Sequence, residues 1–268
     1  MKIFNSIFCL VILATILISC DNSVPVEYPN DINSEYVPNE KETAFEQMIF
    51  DIDQNDSLLT GQSLFYSREG GASVEVEIKV NDSNQMVKMV EEYTTENFPS
   101  IASNTFYFKN AKMIASKELL EEAVGDSSHF VERVTYYDEN ENPIITKKKA
   151  ANFEEELDYE SYQIIDNQKC PYDRALEVLN QENEYATTFQ GFVKEDPYLY
   201  LIVGENKENG YYSSVVVQYM TSLIKKLQQD EKGMLGTPLE IEYETLNGDQ
   251  GYEYQILMSV RMRGKSGL

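Results

Sequence analysis

The chain has 268 residues, enough for one large domain or two small ones, and its 46 acidic and 22 basic side chains give a formal net charge of −24. This charge disfavours binding to nucleic acid, because the one basic run, residues 147–149, is followed closely by the acidic run 154–156. Nineteen Tyr and twelve Phe argue against a disordered acidic chain, and abundant Tyr without Trp favours β-sheet.

The first twenty residues have the pattern of a secretory signal. Lys2 supplies a positive start, residues 7–18 are apolar except for Thr15, and a small residue precedes Cys20. The apolar run is shorter than the roughly 20 residues that a membrane-spanning helix needs. We therefore predict a signal peptide over residues 1–19, with a short uncleaved anchor as the alternative.

The sequence Leu17-Ile18-Ser19-Cys20 resembles the lipobox of bacterial lipoproteins. The resemblance implies cleavage before Cys20, a diacylglycerol on its thiol and often a third acyl chain, such as palmitate, on its amine. Each buried CH₂ contributes ~0.8 kcal/mol, so several chains anchor firmly where one anchors weakly. We expect a cell-envelope protein that is held to a membrane by lipid on Cys20 and faces the periplasm, with exposure at the cell surface as the alternative.

Residues 20–43 read as a lipidated flexible tether, because Pro25, Pro29 and Pro38 stand among polar residues. A flexible segment of this length has a mean span of about 25 Å.

Residues 44–149 are predicted to form an antiparallel β-meander domain after a short helix over residues 44–50. Residues 74–80 alternate between aliphatic and charged side chains, and Asn- and Asp-rich turns separate later strands near residues 86–93, 105–108, 113–115, 131–137 and 144–148. This stretch resembles the aromatic-strand hairpins of β-rich lipoproteins from Bacteroidota-type envelopes.

Residues 150–185 are predicted to be a helical connector. The spacing of Phe153, Leu157 and Ile164 indicates one helix, and Pro171 marks the first turn of a second. Cys170 is the only thiol left beyond Cys20, so we expect no intramolecular disulfide, and we interpret Cys170 as a structural residue at a helix start.

Residues 186–268 are predicted to be a small β domain. Three strands, a helix around Leu223–Leu227 and two further strands follow one another, and Gly191 marks a bulge in the first strand. This order resembles an OB-type barrel, the oligonucleotide/oligosaccharide-binding fold, with an α+β domain as the alternative. The predicted fold class is therefore mainly β (α+β).

The sequence contains no pattern typical of a hydrolase, a zinc helix or a phosphate-binding loop, so we predict no catalytic residues, no metal site and no cofactor. The sole histidine, His129, excludes multi-histidine metal sites. Acidic pairs such as Glu91 with Glu92 or Glu240 with Glu242 are expected by chance among 46 acids.

Tyrosines on adjacent predicted strands are the strongest signal of a binding surface. Tyr198 and Tyr200 share one face of their strand and Leu199 and Leu201 the other, which is expected to face inward. The candidate binding residues are Tyr198, Tyr200, Tyr211 and Tyr212, although such rings also fill sheet cores.

The leading hypothesis is a non-catalytic binding or assembly module with an envelope protein or a glycan as partner and no nucleic acid. The alternatives are a carbohydrate-active hydrolase that uses two carboxylates and an inhibitor of an exported hydrolase.

Overall fold

The computed structural model describes residues 38–98, 100–125, 127–247 and 253–264. The predicted signal peptide, Cys20 and most of the predicted tether lie outside these residues. The described chain is mainly β, as predicted. Its strands are β1 (Leu59–Gln62), β2 (Tyr66–Ser67), β3 (Ser73–Val80), β4 (Met86–Thr94), β5 (Ala102–Lys109), β6 (Lys112–Val124), β7 (Ser127–Tyr137), β8 (Pro143–Ala151), β9 (Gln163–Ile165), β10 (Thr188–Glu195), β11 (Tyr198–Gly204), β12 (Tyr212–Val217), β13 (Leu239–Asn247) and β14 (Glu253–Met262).

Few helices accompany these strands. They are α1 (Glu40–Asp53), α2 (Asp173–Asn180), α3 (Ser222–Gln229) and α4 (Glu231–Met234), with 3₁₀ turns at Glu154–Tyr159 and Asn183–Tyr185. Within the described ranges, none of the helices is long and apolar enough to cross a membrane.

Strands β3 to β8 form a meander where one was predicted, and β9, from the predicted connector, extends it. Each of these strands pairs antiparallel with the next along the chain. The turns between them use residues that tolerate positive φ. Asn84 (φ 56°) and Asn110 (φ 54°) adopt the left-handed conformation in the β3–β4 and β5–β6 turns, where asparagine is favoured because its short side chain can bond locally.

The last five strands pair in the order of an OB-type barrel. β10 pairs with β11, β11 with β12, β12 in parallel with β14, and β14 with β13. A bridge between Thr188 and Pro238 joins the start of β10 to the segment before β13, which brings the first and fourth strands of the set together. Gly191 (φ +132°) lies at the register shift between β10 and β11, so the predicted bulge is present.

One sheet and one core unite the two regions that the sequence analysis treats as separate domains. β12 pairs with β2, and β2 with β3, so the barrel-like strands continue directly into the meander of a 14-stranded sheet of the described chain. The largest buried cluster mixes Val74 and Phe106 with Phe189 and Leu201. The described residues accordingly belong to a single compact unit.

The predicted connector is less helical than expected. Residues 153–164 form a 3₁₀ turn followed by strand β9, in which Ile164 pairs with Lys147 of β8. Phe153 and Ile164 are both more than half exposed, so Leu157 is the one buried residue of the expected apolar face. A helix needs a continuous apolar stripe to pack, and this segment lacks one. The second predicted helix is present as α2.

Helix α1 is longer than the predicted residues 44–50. Asn39 caps it, because its side-chain oxygen accepts hydrogen bonds from the backbone N–H groups of Lys41 and Glu42 at 3.0 and 3.1 Å. The helix lies on the sheet, where Phe45 stacks on Tyr136 with ring centroids 5.2 Å apart.

Candidate functional site

A pocket of about 440 Å³ lies on the outer face of the barrel-like strands and is the strongest candidate for a binding site. Tyr200 on β11 lies opposite Val216 on β12, and both line the pocket. Val216 in turn pairs with Ile256 on β14, two residues after Tyr254. Because alternate residues of a strand share a face, Ser214 and Tyr254 point to the same side of the sheet. Both line the pocket.

The opposite wall comes from the amino-terminal part of the chain. Gln62 at the end of β1, Phe65 before β2 and Glu75 on β3 close the pocket over the barrel-like strands. We call this cavity the composite pocket. It is defined by Gln62, Phe65, Glu75, Tyr200, Ser214, Val216, Thr245, Glu253, Tyr254 and Gln255.

The two walls are joined by side chains that bond to backbone atoms. The Gln255 amide accepts from the Phe65 N–H at 3.1 Å and donates to the Ser63 carbonyl at 2.8 Å. The Tyr243 hydroxyl donates to the Gln62 carbonyl at 2.8 Å. Gln255 is itself buried, so these bonds replace water contacts and fix the position of the Gln62–Phe65 segment.

Two carboxylates meet in the composite pocket. The Gln62 Nε2 atom lies 3.2 Å from Glu253 Oε2 and 3.5 Å from Glu75 Oε2, so one amide contacts both acids. Burial, together with the charges of Glu92 and Glu253, raises the pKa of Glu75 above its ordinary value. Glu92 stands directly opposite Glu75 on β4.

None of the ten residues around the composite pocket is basic, so no lining side chain neutralises the two carboxylates. The remaining lining combines aromatic rings that are partly exposed, Phe65 and Tyr254, with the hydroxyls of Ser214 and Thr245. Flat apolar faces beside several hydrogen-bonding groups suit a ligand that is amphipathic and rich in polar groups.

The structure divides the four predicted tyrosines. Tyr198 and Tyr200 lie together on the outer face, with ring centroids 6.3 Å apart, whereas Leu201 of the same strand is fully buried. Tyr200 lines the composite pocket. Tyr212 is also outward, but it pairs with Gly204 at the far end of β11 and does not line the pocket.

Tyr211 packs inward and is not part of this surface. Its ring lies 5.0 Å from the ring of Tyr185, a core residue, and the Arg68 guanidinium lies over it at 5.0 Å. The alternation of the strand puts Tyr211 and Tyr212 on opposite faces, so the two could not have served one surface.

No local sequence pattern marks Gln62, Glu75 or Glu253 as a site residue. Glu75 is one of the charged residues of the alternating segment 74–80, and the contact between Gln62 and Glu253 joins residues 191 positions apart. A signal for Glu75 is visible only once the strand pairing is known, because like charges directly opposite each other are normally avoided.

A second charged cluster lies under α1 and holds the structure together. Lys147 Nζ donates to Glu42 Oε1 at 2.7 Å and Glu46 Oε1 at 2.8 Å, and it lies over the rings of Tyr136 and Tyr162. Burial acts to lower the pKa of Lys147, but the hydrogen bonds to the two glutamates outweigh it and raise the pKa. This cluster attaches α1 to the sheet.

No protein-family model matches the chain, and neither the curated proteins nor the solved structures contain a match. Fold and site together describe a β-rich protein with an acidic, aromatic-walled pocket at the junction of a meander and a barrel-like unit.

Proposed function

We propose that this chain is a lipid-anchored protein of the cell envelope that acts as a non-catalytic binding module and holds a glycan in the composite pocket. The observation that carries the proposal is the convergence of Tyr200 and Tyr254 with Glu75 and Glu253 around one cavity of about 440 Å³. That volume falls within the range of about 300–1,000 Å³ typical of small-ligand sites.

The chemistry of the pocket favours a sugar. The tyrosine rings offer flat apolar faces for the C–H faces of a pyranose, while carboxylate oxygens accept hydrogen bonds from its hydroxyls. The Gln62 amide can both donate and accept. A glycan that carries its own negative charge is disfavoured, because the pocket already holds two unneutralised acids. Neutral and amino sugars are the preferred class.

Calorimetric titration with three oligosaccharides of equal length tests this proposal. We expect binding of a neutral hexose oligomer and a glucosamine oligomer and no binding of a uronic-acid oligomer. Tyr200→Ala should weaken the affinity about tenfold, or ~1.4 kcal/mol, through loss of the stacking face. Tyr212→Ala is the matched control, since Tyr212 lies outside the pocket on the same sheet face. Equal effects of the two substitutions, or preference for the uronic-acid oligomer, would contradict the proposal.

The lipid anchor is supported by the pattern of residues 1–20. We expect Cys20→Ala to release the protein from the membrane fraction, because without the thiol no diacylglycerol can be attached. Mass spectrometry of the mature amino terminus should find an acylated Cys20 in the unaltered chain. A Cys20→Ala product that still sediments with vesicles after processing would rule out the anchor.

Hydrolysis of the bound glycan is a second candidate function. Glu75 has a raised pKa and shares an amide contact with Glu253, and a pair of carboxyl groups of which one has a raised pKa is what glycosidases use as acid and base. Incubation with each oligosaccharide and assay of new reducing ends separates the two functions. Release by the unaltered protein that disappears in Glu75→Gln, while binding persists, would favour the hydrolase.

A further inference from the structure

A second concave surface lies beside α1, at the opposite end of the meander strands from the composite pocket's acids. It is a groove of about 650 Å³ between α1 and the tips of the β5–β6 and β7–β8 hairpins. We call it the α1 groove. Its apolar lining consists of Ala44, Phe45, Met48, Met113, Ile114 and Ile144.

Three lysines line the same groove: Lys41 on α1, Lys109 at the end of β5 and Lys112 at the start of β6. The Lys109 ammonium donates to the Met48 thioether at 3.4 Å, and the Lys112 ammonium donates to the Glu139 carbonyl at 2.7 Å. Neither contact neutralises the charge, since both acceptors are uncharged.

The three lysines of the α1 groove form no ion pair with a described residue, a state that they share with six other basic residues of the described ranges. Eleven other basic residues in the described ranges form ion pairs, as Lys88 does with Asp53 and Lys148 with Glu122, whereas Lys41, Lys109 and Lys112 form none with described residues. Two acids, Asp138 and Glu139, also line the groove. The Asp138 carboxylate accepts from the backbone N–H groups of Asn142 and Asn140 at 2.9 and 2.8 Å, and these bonds, with a smaller effect of the Lys112 charge, lower its pKa. The groove therefore combines apolar walls with a Lys109 ammonium whose hydrogen-bond acceptor is uncharged.

We propose that the α1 groove binds a single-chain fatty carboxylate. The alkyl chain lies along Phe45, Met48 and Ile114, where each buried CH₂ contributes ~0.8 kcal/mol. The carboxylate pairs with Lys109, whose ammonium exchanges a weak thioether acceptor for a charged one. Charge complementarity selects this occupant over a neutral or cationic amphiphile of the same chain length. The inference does not depend on the glycan site.

Methyl-labelled methionine provides a local readout. Met48 and Met113 line the α1 groove, whereas Met258 is exposed on β14 outside it. We expect dodecanoate, below its micelle concentration, to shift the Met48 and Met113 methyl resonances saturably and to leave Met258 unmoved. Dodecyltrimethylammonium should cause no such shift, and dodecyl maltoside should bind several-fold more weakly.

A lysine substitution isolates the charge. Lys109→Met keeps the apolar length of the side chain and should weaken dodecanoate binding roughly 3- to 10-fold while leaving dodecyl maltoside unaffected. The control is Lys194→Met, at an exposed position on β10 outside the groove. Equal binding of all three amphiphiles would overturn the proposal, as would absence of shifts with dodecanoate. Binding to vesicles of anionic phospholipid without binding of dodecanoate would overturn it too, and would identify a bilayer-facing surface instead.

Discussion

Glu75 has a fixed place in the strand pairing, but its carboxylate has few favourable contacts. It lies on a central strand, directly opposite Glu92, beside Glu253 and partly removed from water. Its only hydrogen bond from a described side chain is the long one from Gln62. Because desolvation and two negative neighbours oppose its ionisation, its folded-state pKa is raised, and its charge at neutral pH opposes folding.

We predict that Glu75→Gln stabilises the protein at pH 7. A raised folded-state pKa means that the carboxyl contributes fully to stability only below its unfolded pKa of about 4.5 and loses that contribution as the pH rises through the folded value. The free energy gained by the substitution should therefore be largest at neutral pH and should vanish below about pH 4.5. Urea unfolding at a series of pH values measures it.

The matched control is Glu208→Gln, in the exposed turn between β11 and β12, which should leave the unfolding free energy nearly unchanged throughout. If Glu75→Gln raised the free energy of unfolding by the same amount at every pH, ionisation of Glu75 would not be the cause of the stabilisation.

Cys170 gives a second prediction at this scale. The thiol is buried, and burial raises its pKa, so it holds its proton at neutral pH. Cys170 should resist iodoacetamide in the folded protein and react fully in guanidinium, as measured by mass spectrometry of its peptide. Rapid labelling under native conditions would contradict this packing.

Helix α1 is held on the sheet by the buried ammonium group of Lys147, which pairs with Glu42 of the helix. The Lys147 side chain is 5% exposed and the Glu42 side chain is fully buried, so removal of the lysine takes an ion-pair partner away from a buried carboxylate. We predict that Lys147→Ala lowers the free energy of unfolding by about 3–5 kcal/mol. Chemical unfolding followed by circular dichroism measures the change.

Lys148 is the control for this prediction. It is the next residue on β8 and pairs with Glu122, but both side chains are about a third exposed, at 30% each. Lys148→Ala should lower the free energy of unfolding by only about 0–1 kcal/mol. Similar losses for the two substitutions would mean that the buried pair does not secure α1.

The sequence predicts elements well where local chemistry decides them. The alternation at residues 74–80 and the Asn turn after them predict the β3–β4 hairpin nearly to the residue, and Gly191 predicts the bulge in β10. The prediction of a helix over residues 153–164 was wrong because this segment lacks the continuous apolar stripe that a helix needs in order to pack. Strand β9 forms there instead because the edge of β8 offers unpaired backbone groups, a condition that exists only in the assembled sheet.

At the scale of the whole molecule, one sheet connects a meander to a barrel-like unit. The core contains residues from both regions. In the spatial order of the sheet, each described strand pairs with its neighbour from β10 at one edge, through β12 and β2, to β9 at the other. We therefore predict a single cooperative unfolding transition, with equal calorimetric and van't Hoff enthalpies. Two separable transitions would mean that the regions before and after residue 186 fold as independent domains.

The sequence is enough to predict the mainly β fold class, the hairpins of the meander and the order of the last five strands, but it is not enough to predict the composite pocket. Of the predicted tyrosines, Tyr200 lines the composite pocket and Tyr198 lies beside it. Both could be predicted because alternate residues of a strand share a face. The acids and the Gln62 wall come from distant parts of the chain, and their meeting depends on the Gln255 bonds to Ser63 and Phe65 across 190 residues or more. No local pattern encodes such a contact.

Hydrogen–deuterium exchange with and without a bound neutral hexose oligomer tests the composite pocket most directly. The two walls belong to separate stretches of chain, so one ligand should protect residues 62–65 and residues 198–202 together, with no change at the far hairpin tips near residues 139–142. Protection of only one stretch, or of neither while the oligomer is bound, would contradict a site built from both halves of the molecule.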